Sequence, residues 1–175
     1  MYKYKDVSIR IEEGDITLVE TDAIVNAAKN SLLGGGGVDG AIHRAGGPRI
    51  LDQCKKIGGC PTGEARITVA GDLPAKYVIH TVGPVYRGGT RGEDQLLYNA
   101  YYNSLLLGKE YELKTIAFPA ISTGVYGYPI ERAVETVLMA LKDFIDGEGN
   151  YREIRFILFS KKDYDLYKEY FDENL

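Results

Sequence analysis

Four consecutive glycines are the most distinctive chemical feature of the chain. Gly34 to Gly37 lie between a short apolar run and a predicted helix that carries Asp39 near its start. Glycines let backbone amides approach a ligand closely, and the first turn of a helix offers unpaired N–H groups to an anion. We therefore predict that this segment binds phosphate. The alternative is a flexible loop that only permits a turn.

A second small-residue segment follows a predicted strand that ends at Pro119. From Ala120 to Tyr128 it contains Ser122 and two glycines, and a predicted helix follows it. Such a junction forms a backbone nest for anions. Ser122 lies outside the Gly-x-Ser-x-Gly pattern of hydrolase nucleophiles, so we do not assign it that role. Two nests at neighbouring strand ends predict a diphosphate that is held from both sides.

Two further signals are weaker. Gly35, Gly37 and Gly40 match the dinucleotide-binding pattern Gly-x-Gly-x-x-Gly, but residues 29–34 separate them from the preceding strand. The hypothesis of a Rossmann-type dehydrogenase rests on this match alone, and no acidic residue that could bind a ribose follows at the expected distance. Asp15, just after the first predicted strand, either caps a short helical turn or accepts a hydrogen bond from an exocyclic amine such as that of adenine.

The elements that must position these residues follow from hydrophobic periodicity. Short β-branched or apolar runs predict strands, and longer runs with helical spacing predict helices. Strands are predicted at Val7–Ile11, Asp22–Ala27, Ala65–Val69, Tyr77–Val82, Thr115–Pro119 and Ile154–Phe159, and helices at Val38–Ala45, Pro48–Ile57, Glu93–Tyr111, Pro129–Ile145 and Asp163–Phe171. Alternation of this kind predicts an α/β sandwich whose mostly parallel sheet binds ligands beyond the carboxyl ends of its strands.

Composition narrows the class of protein. The chain has 175 residues, 45% hydrophobic and 26% charged, which is typical of one globular domain. A net charge of −4 without a basic stripe argues against a nucleic-acid binder. Two cysteines and two histidines predict neither a disulfide framework nor a metal site. No apolar run reaches the ~18–20 residues of a membrane span, and the first six residues lack the apolar stretch of a signal peptide, so we expect a cytoplasmic protein.

Five segments together resemble the macro domain, in particular its MacroD-type subclass of O-acetyl-ADP-ribose deacetylases. They occur in the family's order and are Gly14–Thr17, Ile24–Ala28, Leu33–His43, Val82–Pro84 and Pro119–Pro129. The resemblance implies a three-layer α/β/α sandwich with a mostly parallel, mixed central sheet, formed by residues 1–175 as one macro domain. It implies binding of ADP-ribose and no cofactor.

The resemblance also implies roles for individual residues. At the adenine, Asp15 would hold the amino group beside Ile16, and Phe159 would stack on the ring. One side of the diphosphate and the distal ribose would be contacted by Gly35, Gly36, Gly37 and Val38. The other side would be contacted by Ser122, Thr123, Gly124 and Val125, with Tyr126 over the distal ribose. Asn26 is a further ligand-binding position, and Asp39 would be the catalytic carboxylate that orients a water.

One position departs from the family's pattern. The family reads Asn-Ala-Ala-Asn before the glycines, whereas this chain reads Asn-Ala-Ala-Lys from Asn26 to Lys29. Lysine cannot accept a hydrogen bond from a ribose hydroxyl, and it brings a mobile point charge toward Asp39, so we count both as catalytic positions. Lys29 either pairs with Asp39, points to solvent, or forms a Schiff base with ring-opened ADP-ribose. Asn30 replaces the missing asparagine only if the backbone shifts.

The resemblance implies an enzyme that hydrolyses an ester at the distal ribose of ADP-ribose. The substrates would be O-acetyl-ADP-ribose or mono-ADP-ribosylated Asp and Glu side chains, with turnover weakened by Lys29. The alternative is a module that binds ADP-ribose with little or no turnover. ADP-ribosylated proteins are a further class of partner, and neither nucleic acid nor a membrane is expected as one.

Overall fold

The computed structural model describes residues 1–149 and 151–175, and every strand and helix predicted above is present with ends shifted by a few residues. The strands are β1 (Tyr2–Tyr4), β2 (Val7–Glu13), β3 (Ala23–Ala27), β4 (Ala65–Val69), β5 (Tyr77–Thr81), β6 (Thr115–Phe118) and β7 (Glu153–Leu158). The helices are α1 (Gly37–Gly46), α2 (Pro48–Ile57), α3 (Glu93–Glu110), α4 (Ile130–Gly147) and α5 (Lys161–Asn174), and a 3₁₀ turn spans Ile16–Leu18.

One mixed sheet of seven strands, in the order β1-β2-β7-β6-β3-β5-β4, runs through the described residues. The inner five strands pair in parallel, and β1 and β4 join the two edges antiparallel. The carboxyl ends of β2, β3, β5, β6 and β7 therefore meet at the same edge of the sheet. The predicted ligand-binding segments all lie in loops at this edge.

Two hydrophobic clusters, one on each face of the sheet, hold the layers together. Neighbouring residues of one strand point to opposite faces, so Val25 packs with α3, α4 and α5, while Ile24 packs with α1 and α2. Cys54 and Cys60 are buried free thiols in the second cluster. The result is the three-layer α/β/α sandwich with a mostly parallel, mixed sheet that the sequence predicted.

The edge strand β1 was not predicted from the sequence. It is only three residues long and is held by contacts with distant parts of the chain. The Tyr2 ring lies 5.9 Å from the ring of Phe171 in α5, and the Tyr4 hydroxyl donates a hydrogen bond to Asp146 in α4 at 2.9 Å. Such a short strand forms because of its tertiary partners rather than its own pattern. Within residues 1–149 and 151–175, the helices are all too short or too polar to cross a lipid bilayer.

Candidate functional site

A cleft of about 470 Å³ opens at the carboxyl edge of the sheet. Its walls come from the loops that follow β3, β5 and β6, and from the first turn of α5. Ten of the residues predicted to act in the site line it: Lys29, Gly36, Gly37, Val38, Asp39, Ser122, Thr123, Gly124, Val125 and Tyr126. The two glycine-containing loops, far apart in sequence, are therefore brought to one cavity.

The first loop presents free backbone amides to this cleft. Gly36 precedes α1 in an extended conformation, and its position carries no side-chain cap. Gly37 has a φ of +57°, where a side chain would be strained, and a Cβ on Gly40 would collide with the Gly35 carbonyl oxygen. Among the described residues, the amides of residues 35–38 have no hydrogen-bond acceptor outside the helix. The loop therefore combines close packing against α1 with unpaired N–H groups.

The second loop is closed by hydrogen bonds that leave its own amides free. Its turn is held by the Tyr128 amide, which donates to the Ser122 carbonyl at 2.9 Å, and by the Gly127 amide, which donates to the Gly124 carbonyl at 2.9 Å. Ser122 has a φ of +67°, unusual for a residue with a side chain. In the described part of the chain, the amides of residues 122–126 find no acceptor. Five consecutive N–H groups are therefore available to a ligand.

Asp39 lies in the first turn of α1 and is only 4% exposed. Its Oδ1 accepts a hydrogen bond from Asn26 Nδ2 at 2.9 Å, and His43 Nε2 lies 3.4 Å from the same oxygen without hydrogen-bond geometry. Its Oδ2 is buried and has no partner among the described residues. Because it is in the first turn, Asp39 lies at the positive end of the α1 helix dipole. The geometry therefore holds one oxygen and leaves the other without a protein hydrogen bond among the described residues.

Lys29 lies over Gly35 at the mouth of this region. A Cβ built on Gly35 would lie 3.2 Å from Lys29 Nζ and 3.1 Å from Asp39 Oδ2. The two charges are therefore within about 6 Å of each other, which is less than the Debye length at physiological salt. No ion pair joins Lys29 and Asp39 in the part of the chain that the structure describes. Asn30 donates to the Cys60 carbonyl at 3.0 Å, so it does not take the place of the family's second asparagine.

Asp15, Ile16 and Phe159 lie at the same sheet edge but outside the walls of this cavity. The Asp15 carboxylate accepts hydrogen bonds from the Thr17 amide at 2.9 Å and from the Thr17 hydroxyl at 2.7 Å, so its capping role is confirmed. Ile16 is buried, whereas the Phe159 ring is 87% exposed. Because β2 and β7 are neighbours, the exposed Asp15 and Phe159 follow adjacent strand ends, and we call this exposed region the platform.

Six residues that line the cleft had no assigned role in the sequence: Ala27, Ala28, Gly83, Ala120, Ile121 and Asp163. A glycine directly after a buried strand was the available signal for Gly83, whereas nothing local distinguishes Asp163 from other helix-starting residues. Asn26, predicted to bind the ligand, is fully buried behind the wall and contacts Asp39.

Comparison with known proteins finds a matching family model and several similar sequences. The family model described as Macro domain matches residues 25–137. A macro domain-containing protein of Caldanaerobacter subterraneus is 55% identical over 169 residues, covering 94% of this chain and 96% of the relative. The O-acetyl-ADP-ribose deacetylase of Escherichia coli K12 is 53% identical over 164 residues, covering 91% and 93%.

Solved structures agree with the sequence relatives. An Oceanobacillus iheyensis macrodomain variant with ADP-ribose superimposes with a TM-score of 0.94 at 42% identity, covering 98% of this chain and 96% of that one. The Trypanosoma brucei macrodomain in complex with ADP-ribose gives a TM-score of 0.87 at 41% identity, covering 93% and 68%.

Proposed function

The chain belongs to the macro domain family, and on that premise we propose that it binds ADP-ribose and hydrolyses an ester at the distal ribose. The substrate classes are O-acetyl-ADP-ribose and proteins that carry mono-ADP-ribose on Asp or Glu. Relatives named O-acetyl-ADP-ribose deacetylase support the hydrolase role, and the cleft supplies the groups that such a reaction needs.

One observation carries this proposal: two runs of unpaired backbone amides, at residues 36–38 and 122–126, belong to residues that line one cleft. A diphosphate between them would accept hydrogen bonds from both sides, and the first turn of α1 adds the positive end of a helix dipole. The adenine would then lie on the platform outside the cleft. There Asp15 has carboxylate lone pairs left for the amino group, Ile16 lies beside it, and the exposed Phe159 ring is free to stack.

Hydrolysis would occur in the cleft beside Asp39, with Tyr126 over the distal ribose. Asp39 Oδ2, which has no protein partner among the described residues, would accept a hydrogen bond from the attacking water and orient it toward the ester carbonyl. Backbone N–H groups of the glycine loop would stabilise the negative charge that develops on the carbonyl oxygen. The bond between the carbonyl carbon and the ribose oxygen then breaks, the acyl group leaves as a carboxylate, and the ribose alkoxide takes up the proton lost by the attacking water. The substrate's own diphosphate helps to fix the ribose.

Lys29 would weaken this turnover for two physical reasons. Its ammonium group cannot accept a hydrogen bond from a ribose hydroxyl, so one contact that places the ester is lost. Its charge also lies near Asp39 Oδ2 and competes with water for that oxygen. A displacement of about 1 Å at the reacting centre costs up to ~100-fold in rate.

The test compares the unmodified protein with Asp39→Ala and Lys29→Asn. Acetate release from O-acetyl-ADP-ribose is measured alongside ADP-ribose binding by calorimetry. We expect turnover that falls by about 10²–10⁴-fold in Asp39→Ala and rises in Lys29→Asn, while ADP-ribose affinity changes little. Failure to bind ADP-ribose would overturn the whole proposal.

A second candidate function is favoured by Lys29 itself, namely an ADP-ribose-binding module with little or no turnover. It predicts that the unmodified protein binds ADP-ribose but releases no acetate. It also predicts that Lys29→Asn gains activity. Equal, substantial rates in both proteins would exclude this candidate and show that Lys29 is harmless.

A further inference from the structure

A chain of buried polar side chains runs from Asp39 into the sheet. Asn26 of β3 and His80 of β5 are paired in register and are both fully buried. Asn26 Nδ2 lies 2.9 Å from Asp39 Oδ1 and 3.1 Å from His80 Nδ1. His80 Nε2 lies 2.9 Å from the Thr68 hydroxyl of β4. The chain thus connects the carboxylate of the proposed site with the edge of the sheet.

The chemistry of these groups determines which atom donates at each step. An ionised Asp39 is an acceptor only, so Asn26 must direct its NH₂ group toward the carboxylate. The same NH₂ group faces His80 Nδ1, which must therefore accept, and the ring proton must lie on Nε2. Nε2–H then donates to the Thr68 hydroxyl, and that hydroxyl donates to the Val69 carbonyl at 2.9 Å. One tautomer of His80 satisfies every step.

The surroundings of His80 hold it in this neutral form. Burial, and secondarily the nearby His43, lowers the pKa of His80 to about 3. The other titratable group against its ring is the Cys54 thiol, whose Sγ is 3.8 Å from Nε2. The rings of His43 and His80 are 6.3 Å apart between centroids. A protonated Nδ1 would place a donor against the Asn26 donor, so the buried neutral ring is required by the amide it faces.

The Asn26 amide depends on this arrangement because its oxygen is not anchored. Asn26 Oδ1 is buried and has no hydrogen-bond partner among the described residues. Only the two acceptors of its NH₂ group, Asp39 Oδ1 and His80 Nδ1, determine its orientation. Without the second acceptor the amide could rotate and present an oxygen to the carboxylate, which would push Asp39 out of position.

We infer that His80 is a positioning residue, which acts through Asn26 to hold Asp39 with Oδ2 directed toward the reacting water. This inference rests on the proposed hydrolase function. A histidine that only filled the core would affect stability alone. A positioning histidine affects the chemical step and requires an acceptor at the Nδ1 position.

The variants that separate these roles are His80→Leu, which removes the acceptor, and His80→Asn, whose side-chain oxygen can take the place of Nδ1. Deacetylase kinetics should show kcat lowered by about 10- to 100-fold in His80→Leu with KM changed by less than about threefold. His80→Asn should recover most of the lost kcat. The matched control is Ser104→Ala, which removes a fully buried hydroxyl from α3, a helix that contributes no residue to the cleft wall, and should leave kcat unchanged.

A double substitution tests whether His80 acts through Asn26. Asn26→Leu combined with His80→Leu should be no slower than Asn26→Leu alone, because the two residues form one chain. Multiplied losses would overturn the inference. So would equal kcat values in His80→Leu and the unmodified protein, or a loss in His80→Leu that the asparagine does not rescue.

A spectroscopic measurement needs no variant. The ¹⁵N shifts of the His80 ring should report the Nε2–H tautomer, without titration, across about pH 5–8. An Nδ1–H tautomer, or protonation in that range, would overturn the positioning role even in an active enzyme. An unmodified protein that shows the Nε2–H tautomer and binds ADP-ribose but releases no acetate would overturn the hydrolase function, and the positioning role of His80 with it.

Discussion

Gly83 follows β5 and packs against the second amide loop at Ile121 and Ser122. Replacing Gly83 with alanine should displace that loop and so weaken ligand binding. A Cβ at this position would overlap Ser122 Oγ and would lie 2.5 Å from Ile121 Cγ2. Ser122 Oγ has no hydrogen-bond partner among the described residues and can rotate away, but the β-branched Ile121 side chain is only 1% exposed and cannot move aside freely. The loop itself must shift.

The size of the effect follows from these contacts. An ordinary carbon–carbon contact needs about 3.5–4.0 Å, so the loop must move by about 1 Å. That shift is enough to lose at least one amide–phosphate hydrogen bond, which contributes about 1.5–3 kcal/mol when the acceptor is charged. The Kd for ADP-ribose should therefore rise about 10- to 150-fold. Overpacking should also lower the free energy of unfolding by about 1–3 kcal/mol.

Calorimetric titration with ADP-ribose and urea unfolding measure these two quantities. The matched control is Gly147→Ala, in which the added methyl group meets no atom within 4 Å at the exposed end of α4. This control should bind ADP-ribose as the unmodified protein does. If Gly83→Ala keeps a Kd within about threefold of the unmodified value, either the loop does not hold the diphosphate or the packing argument fails.

Three further predictions concern other parts of the molecule. Hydrogen bonds from backbone amides, chiefly that of Arg87, lower the pKa of the buried Glu93 from 4.5 to about 2. The ionised form of Glu93 therefore stabilises the fold above pH 4.5, and this contribution is lost as the pH falls toward 2. Urea unfolding should show Glu93→Gln less stable than the unmodified protein at pH 7, with a difference that narrows below pH 4.5; a constant difference would contradict the assignment. Phe159→Ala should raise the Kd for ADP-ribose by about 5- to 150-fold through lost stacking, while binding of ribose 5-phosphate and the melting temperature stay unchanged. Gly71→Ala should lower the free energy of unfolding by about 2–4 kcal/mol, because φ is +60° and the new methyl group would collide with the Gly46 carbonyl oxygen; an unchanged urea midpoint would refute this.

The helices and longer strands could be predicted because their signals are local. The alternation of Val7 to Ile11 and the helical spacing in α4 each reflect which face of an element is buried, and that pattern is written into neighbouring residues. The same holds for the loop before α1, since consecutive glycines followed by a helix predict free amides without knowledge of the rest of the chain. The short strand β1 lacked such a signal.

The amino-acid sequence alone therefore determined the elements other than β1, the α/β class and the two amide loops, since each depends on residues close together in the chain. Only the tertiary structure decided which distant residues meet. It set Gly83 beneath Ser122, brought Asp163 to the cleft and placed His80 behind Asn26. It also kept Lys29 out of a direct ion pair with Asp39 in the region described. These contacts arise from strand order and register, which join segments more than fifty residues apart in β3 and β5 and cannot be read from a local pattern.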